Sequence, residues 1–333
     1  MRADDLTALF ERVPLFADLC EAERRDLEGA FRPVTFKPGE LIFRQGAEPD
    51  GLYLVAEGWV TISVRLPGDD EIGLRTVGPD EVFGEMAIAN RQSRSSSTSA
   101  RALTETRAWL LDTQWYEGWR TQLDPSIFKV MRRLALLMSA RLRTDRALFF
   151  GPSPAALEAP APSPQLPPEN PQKMVTLDPP TLRVLPIFSD FTDKELMTMV
   201  ERMQRHELPR GHVVFTEGEP GASCFIIVRG AVEVTVVERS KKRLVTVLGP
   251  SGMFGQGALL SGEPRSATCT VREHAVMLEL DKASMDELCA DGAPIAFKFM
   301  AMVLRTLSHV QRRADAMLAR DAALEQAQGI APR

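Results

Sequence analysis

No apolar run in this 333-residue chain approaches the ~18 residues that would suggest a membrane span. Its first residues, MRADDLTALFERV, carry acids and lack the apolar stretch of a secretory signal. Cysteine is sparse: Cys20, Cys224, Cys269 and Cys289 are scattered, with no CxxC pair and no metal-like spacing to the four histidines. That pattern predicts reduced structural thiols in a cytoplasmic protein and no metal site. Basic residues are not in excess, with 40 Lys and Arg against 45 Asp and Glu and a net charge of −5. Such a balance argues against a nucleic-acid-binding surface, although one well-placed arginine can still bind a small anion. No P-loop, nucleophile elbow, HExxH or kinase signature occurs, so no catalytic domain is expected.

What the chain does contain is a repeat. The segment VPLFADLCEAERRDL (13–27) matches LPIFSDFTDKELMTM (185–199). FKPGELIFRQGAEPDGLYLVAEGWVTI (36–62) matches LPRGHVVFTEGEPGASCFIIVRGAVEV (208–234), and VGPDEVFGEMAIANRQSRSSS (77–97) matches LGPSGMFGQGALLSGEPRSAT (248–268). The offset is 172 at Phe16/Phe188 and Gly58/Gly230, and 171 at Phe83/Phe254. One extra residue therefore sits in copy one, in the turn RLPGDDEIG. Pairing Arg94 with Arg265 keeps the offset at 171.

Between the copies, residues 151–180 include ten prolines in thirty positions, a composition that favours an extended linker. The reading is thus a domain at 1–150, a linker at 151–180 and a domain at 181–333. Within each domain an amphipathic helix comes first. In copy two it opens on a capping box, Thr192 with Glu195, where copy one has Cys20 and Glu23, a weaker cap. Short apolar segments with glycine-bearing turns follow, and a helical stretch closes each copy. The fold class expected is mixed α and β, mainly β: two tandem β-roll (jelly-roll) domains flanked by helices. The aromatics Trp109, Trp115, Tyr116 and Trp119 are expected to pack under the closing helix of copy one.

The informative segments are Phe83-Gly84-Glu85-Met86-Ala87, followed by Arg94-Ser95-Ser96, and Phe254-Gly255-Gln256-Gly257-Ala258, followed by Arg265-Ser266-Ala267. They resemble the phosphate cassette of the cyclic-nucleotide-binding domain family, which includes the catabolite activator protein and the regulatory subunits of protein kinase A. The family pattern is F-G-E, a small apolar residue, A-L, then P-R, a small residue and A. The resemblance covers both copies from first helix to last. It implies that Arg94 and Arg265 pair with a phosphate oxygen of cAMP or cGMP. It also implies that the N–H groups of Ala87, Ser95, Ala258 and Ser266 bond the phosphate. Glu85, and less strongly Gln256, would accept the ribose 2′-hydroxyl. A charged acceptor there is roughly twice as strong as a neutral one. Gln256→Glu is therefore expected to tighten copy two, whereas Gly257 is expected to weaken its short helix. Gly84 and Gly255 are expected to let backbone approach the ligand without a Cβ in the way.

In the last helix Met300, Val303, Leu307, Val310, Ala314 and Met317 recur at steps of three and four. This seam reads either as a homodimer helix through 295–318 or as a helix packed on its own β-roll. Copy one has a shorter version in Phe128, Met131, Leu134 and Met138, extended by Leu142. After Arg320 the remaining residues are too few for the helix-turn-helix of the family's transcription factors, and none of the docking segments of kinase regulatory subunits precedes copy one. Together these features predict a cytoplasmic, non-catalytic cyclic-nucleotide sensor with no cofactor beyond its ligand. It would not bind membrane or nucleic acid, and it would relay occupancy through helix and linker to an effector protein that the sequence does not identify. The rival is an adaptor whose β-rolls bind only protein.

Overall fold

The computed structural model describes residues 3–48, 50–66, 71–89, 95–150, 177–238, 241–289 and 293–327. Arg94 and linker residues 151–176 lie outside the described residues. The chain divides into two compact units, Met1–Met138 with Val303–Arg333, and Ser139–Met302. Each closing helix contributes to both units.

Unit 1 opens with α1 (Ala3–Arg12) and α2 (Glu21–Glu28). Its strands are β1 (Phe31–Phe36), β2 (Leu41–Phe43), β3 (Gly51–Glu57), β4 (Val60–Arg65), β5 (Glu71–Val77), β6 (Val82–Phe83), β7 (Ser99–Ala102) and β8 (Thr106–Asp112). A one-turn helix, α3 (Met86–Ala89), interrupts them after β6. The strands form two antiparallel sheets, ordered β1-β8-β3-β6 and β2-β7-β4-β5. The helices α4 (Thr113–Gln122) and α5 (Pro125–Phe150) follow.

Copy two begins with α6 (Pro179–Arg183) and α7 (Asp193–Val200). The two prolines that opened α6 were expected to end the linker. Proline is tolerated in a first helical turn, where its missing N–H has no partner to lose, and Asp178 caps the helix by accepting Thr181 N–H. Strands β9 (Gln204–Leu208), β10 (Val213–Phe215), β11 (Ser223–Glu238), β12 (Lys241–Leu248), β13 (Met253–Phe254) and β14 (Thr268–Asp281) then build the second roll. The helix α8 (Gln256–Ser261) lies between β13 and β14, and α9 (Lys282–Cys289) and α10 (Pro294–Ala327) end the chain. Long β11 and β14 correspond to the broken pairs β3/β4 and β7/β8. The corner is turned in both copies by a glycine at positive φ, Gly58 at 88° and Gly230 at 86°. A Cβ there would lie 2.3 Å from Glu105 O or 2.2 Å from His274 O, so no other residue fits.

The single-residue length change falls where the repeat predicts it. Arg65 pairs with Glu71 across residues 66–70, and Val237 pairs with Lys242 across 238–241. The two cores match position by position: Phe43, Tyr53, Val55, Val60 and Phe83 in one, Phe215, Phe225, Ile227, Val232 and Phe254 in the other. In each, a stacked ring pair ties the strand leading into the cassette to the roll. Tyr53 and Phe83 lie 4.8 Å apart, and Phe225 and Phe254 5.2 Å apart. Such pairs contribute about 0.5–1.5 kcal/mol beyond their buried area. Of the aromatics grouped from sequence, Trp109 and Tyr116 are buried, Trp115 is exposed, and the Trp119 side chain lies outside the description.

The helices α2 and α7 are fastened alike. Glu195 accepts Thr192 N–H at 2.7 Å and Thr192 Oγ1 takes Glu195 N–H at 3.3 Å. Glu23 accepts Cys20 N–H at 2.7 Å, with only a thiol to return the bond. Each glutamate also meets a closing-helix lysine, Lys298 or Lys129, at 2.7 Å. Burial pushes both carboxyls up, but the lysine and the capping N–H outweigh it and hold them below the ordinary glutamate range. Their contribution to stability is therefore present above that range and is lost as pH falls through the depressed folded values.

Of the two readings of the last-helix seam, packing within the chain accounts for its first half, while Ala314 and Met317 are half-buried. Met300, Val303 and Leu307 are buried, as are Met131, Leu134 and Met138, while Val310 is exposed. No helix among the described residues is long and apolar enough to cross a membrane. No cluster of three His, Cys, Asp or Glu among them could hold a metal ion. None of the four cysteines is in a disulfide, and burial pushes the Cys224 thiol up to about 12, as an inert core group requires.

Candidate functional site

In unit 1, β6 delivers the chain to Gly84, whose φ of 79° turns it into α3. A Cβ on Gly84 would lie 2.5 Å from Gly51 O. The glycine is thus demanded by the roll's own backbone, and the same holds for Gly255, where a Cβ would lie 2.9 Å from Ser223 O and 2.7 Å from the Arg265 side chain. Glu85 is 4% exposed and accepts Arg75 Nη2, from β5, at 3.2 Å. Gly84, Glu85, Met86 and Ala87 line one small cleft together with Arg75 and Ser96. Ser96 also lines a second cavity of about 660 Å³, bounded by Gln45 and Val64 on the roll and by Asp315, Ala319 and Leu324 of α10. That volume is within the ~300–1,000 Å³ typical of small-molecule sites. Ser97 Oγ donates to Asp315 across it at 2.7 Å. Ser96 and Ser97 thus serve as cavity wall, and Ser99 begins β7.

In unit 2 the same turn leads through Gly255 into α8, which places Gln256, Gly257 and Ala258 in its first turn. Gln256 is 6% exposed, and its Oε1 has no hydrogen-bond partner among the described residues. Arg265 is 7% exposed. Its Nη1 donates to Ser223 O and, at 3.1 Å, to Gly255 O, and its Nη2 donates to Ser223 Oγ at 3.0 Å. The guanidinium lies 4.1 Å from the Phe215 ring centroid. Loss of hydration pulls its pKa down, though an arginine stays protonated. Behind Ser223 stands Glu279, whose carboxyl burial would raise; hydrogen bonds from His206, at 2.8 Å, and from Ser223 hold it low instead. Ser266 is exposed and Ala267 half-buried.

The equivalence of Arg94 and Arg265 needs correction. In unit 1, Gly46 N–H donates to Ser96 O at 2.9 Å and Ser96 N–H to Ala47 O at 2.8 Å. In unit 2 the same ladder runs from Gly218 to Arg265 and from Arg265 to Glu219, both 2.8 Å. Gly46/Gly218 and Ala47/Glu219 are repeat partners at offset 172, so Ser96, not Arg94, stands where Arg265 stands. The loop before β7 is longer by two residues in copy one, and counting from the glutamate alone hid this. Unit 1 therefore keeps the acid and its Arg75 partner, while unit 2 keeps the arginine at the ladder. The Arg75 position is held in unit 2 by Thr246, since Ile62 pairs with Arg75 as Val234 pairs with Thr246. Gly257 also gains a reason: a Cβ there would lie 3.0 Å from Ser139 Oγ of α5.

Sequence reasoning missed Arg75, Ser223 and Glu279, because their counterparts Thr246, Gly51 and Leu110 share no chemistry with them. The profile described as cyclic nucleotide-binding domain matches residues 33–117 and 205–291. The chain is 26% identical over 279 residues to the cAMP-dependent protein kinase regulatory subunit of Dictyostelium discoideum, covering 83% of this chain and 70% of that one. It is 30% identical over 122 residues to the CRP-like cAMP-activated global transcriptional regulator of Mycobacterium tuberculosis, spanning 36% of this chain and 54% of that protein. Among solved structures, the regulatory domain of Toxoplasma gondii PKA with cAMP aligns over 96% of each chain at 15% identity and a TM-score of 0.33.

Proposed function

The chain belongs to the cyclic nucleotide-binding domain family, and from that premise we propose that it is a non-catalytic sensor of cAMP or cGMP in a reducing, cytoplasmic setting. The observation that carries the reading is the pair of cassettes, each with a buried polar side chain facing its first turn: Glu85 in unit 1 and Arg265 in unit 2. In unit 1, Glu85 accepts the ribose 2′-hydroxyl, the amides of Ala87 and Ser97 meet the phosphate, Ser97 following the ladder residue Ser96 as Ser266 follows Arg265, and Arg94 is the cation expected to pair with it. In unit 2, Arg265 pairs with the phosphate beside the amides of Ala258 and Ser266, and the amide of Gln256 takes the ribose. The cavity beside Ser96 receives the base, and α10 forms its far wall. Ligand that binds one arrangement of the closing helix better than another shifts the balance between them, and an effector protein reads that shift.

Thermal unfolding with cAMP, cGMP and 5′-AMP tests the reading. A cyclic nucleotide at ~100 times its Kd adds roughly 2.7 kcal/mol to stability, and 5′-AMP adds little. Stability unmoved by either cyclic nucleotide at millimolar concentration would favour the adaptor.

A further inference from the structure

A second internal repeat lies in the closing helices. At an offset of 169, Lys129, Ser139 and Arg143 of α5 correspond to Lys298, Ser308 and Arg312 of α10. The three pairs make the same contacts. Each lysine holds the capping-box glutamate of its own copy. Each serine is buried against the first turn of a cassette helix, but of the other copy: Ser308 donates to Met86 Sδ at 3.9 Å, and Ser139 faces Gly257. Each arginine then donates to the carbonyl just before the ladder residue, Arg312 to Ser95 O and Arg143 to Pro264 O.

We propose that Arg312 and Arg143, seated by Ser308 and Ser139, are positioning residues for ligand binding, so that each cassette is completed by the closing helix of the other sequence copy. The inference rests on the sensor reading above. Its physical basis is the planar peptide. The carbonyl of Ser95 and the N–H of Ser96 belong to one rigid plane, held by Arg312 on one side and by Ala47 O on the other. The Pro264–Arg265 plane is held likewise by Arg143 and Glu219 O. That plane sets where the Arg265 side chain begins and where the amide of the following residue points. A guanidinium suits the task, because it stays charged when partly buried and a charged donor makes the stronger bond. Contacts that repeat at one offset in both copies are not the product of chance packing.

Two measurements on the full chain test this. The first is hydrogen exchange without ligand. Arg312→Ala should speed exchange of the Ser96 amide about tenfold and leave Arg265 unchanged, and Arg143→Ala should do the reverse. The second is calorimetry with cAMP. Arg312→Ala and Arg143→Ala should each weaken a different class of site about tenfold, the value of one hydrogen bond from a charged donor. Arg312→Lys, which keeps charge and a donor, should recover most of the loss, with the melting temperature unmoved throughout. Unchanged exchange at both amides, or two variants that weaken the same class of site, would overturn the proposal. An unaltered chain that binds no cyclic nucleotide would defeat the sensor reading instead, and the exchange result would still decide the latch.

Discussion

Arg265→Ala is expected to remove cyclic-nucleotide binding from unit 2 and, in the same variant, to destabilise the ligand-free chain by about 2–4 kcal/mol. The second effect follows from where the guanidinium sits. It is 7% exposed, and it satisfies Ser223 O, Gly255 O and Ser223 Oγ in a space kept open by Gly221, whose Cβ would otherwise lie 2.1 Å from Arg265 Nε. Truncation leaves buried acceptors unpaired and uncovers the face of Phe215, with a cation–π contact of about 1 kcal/mol lost besides. It also removes one of the positive charges that, after His206 and Ser223, help to hold the Glu279 carboxyl low. Denaturant unfolding without ligand, run beside calorimetry with cAMP, separates the two effects. Unaltered ligand-free stability would mean that Arg265 is a solvated ligand arm and not part of the packed roll.

The second large effect concerns Gln256, and here the structure reverses what the sequence suggested. Taken as a local substitution, Gln256→Glu restores a charged acceptor for the ribose. In unit 1, however, the carboxylate of Glu85 does not stand alone, since Arg75 meets it at 3.2 Å. Thr246 occupies the Arg75 position in unit 2. Gln256→Glu alone therefore buries a carboxylate at a 6% exposed position without that partner, in a pocket that must also take an anionic phosphate. We expect it to cost about 3 kcal/mol of stability and to weaken binding. Gln256→Glu with Thr246→Arg should instead tighten cAMP binding about tenfold, with little gain for the 2′-deoxy analogue, which has no hydroxyl to donate. Tighter binding by the single variant, or equal gains for ribo and deoxy ligands, would mean that residue 256 does not face the ribose.

These two cases mark how far the sequence could be read. The tandem β-rolls were legible because a roll repeats its signals: Gly58 and Gly230 at the same corner, and Phe83 and Phe254 ahead of the same turn. The capping boxes were legible because their residues are neighbours in sequence. The alignment of Arg94 with Arg265 failed because spacing was counted from the glutamate across a loop whose length differs by two residues. Only the ladder from Gly46 to Ser96 fixes the register. Arg75 and Glu279 were invisible because their repeat counterparts, Thr246 and Leu110, carry neither charge, so the repeat gave no signal at either position. The seam in the last helix was a correct reading of an apolar stripe. A stripe does not say what covers it, and here Met300, Val303 and Leu307 are covered within the chain. Composition could not have placed residues 303–327 beside the first cassette at all, since they follow the second by position.

The most direct test is titration calorimetry of the full chain with cAMP and cGMP, alongside the same chain carrying Glu85→Gln and Arg265→Ala. The unaltered protein should give saturable heat with at least one of the two cyclic nucleotides and none with 5′-AMP, and the double variant should lose about tenfold or more in affinity at each site it retains. Binding by the double variant equal to that of the unaltered chain, or no heat from either cyclic nucleotide, would contradict the assignment of these cassettes as cyclic-nucleotide sites.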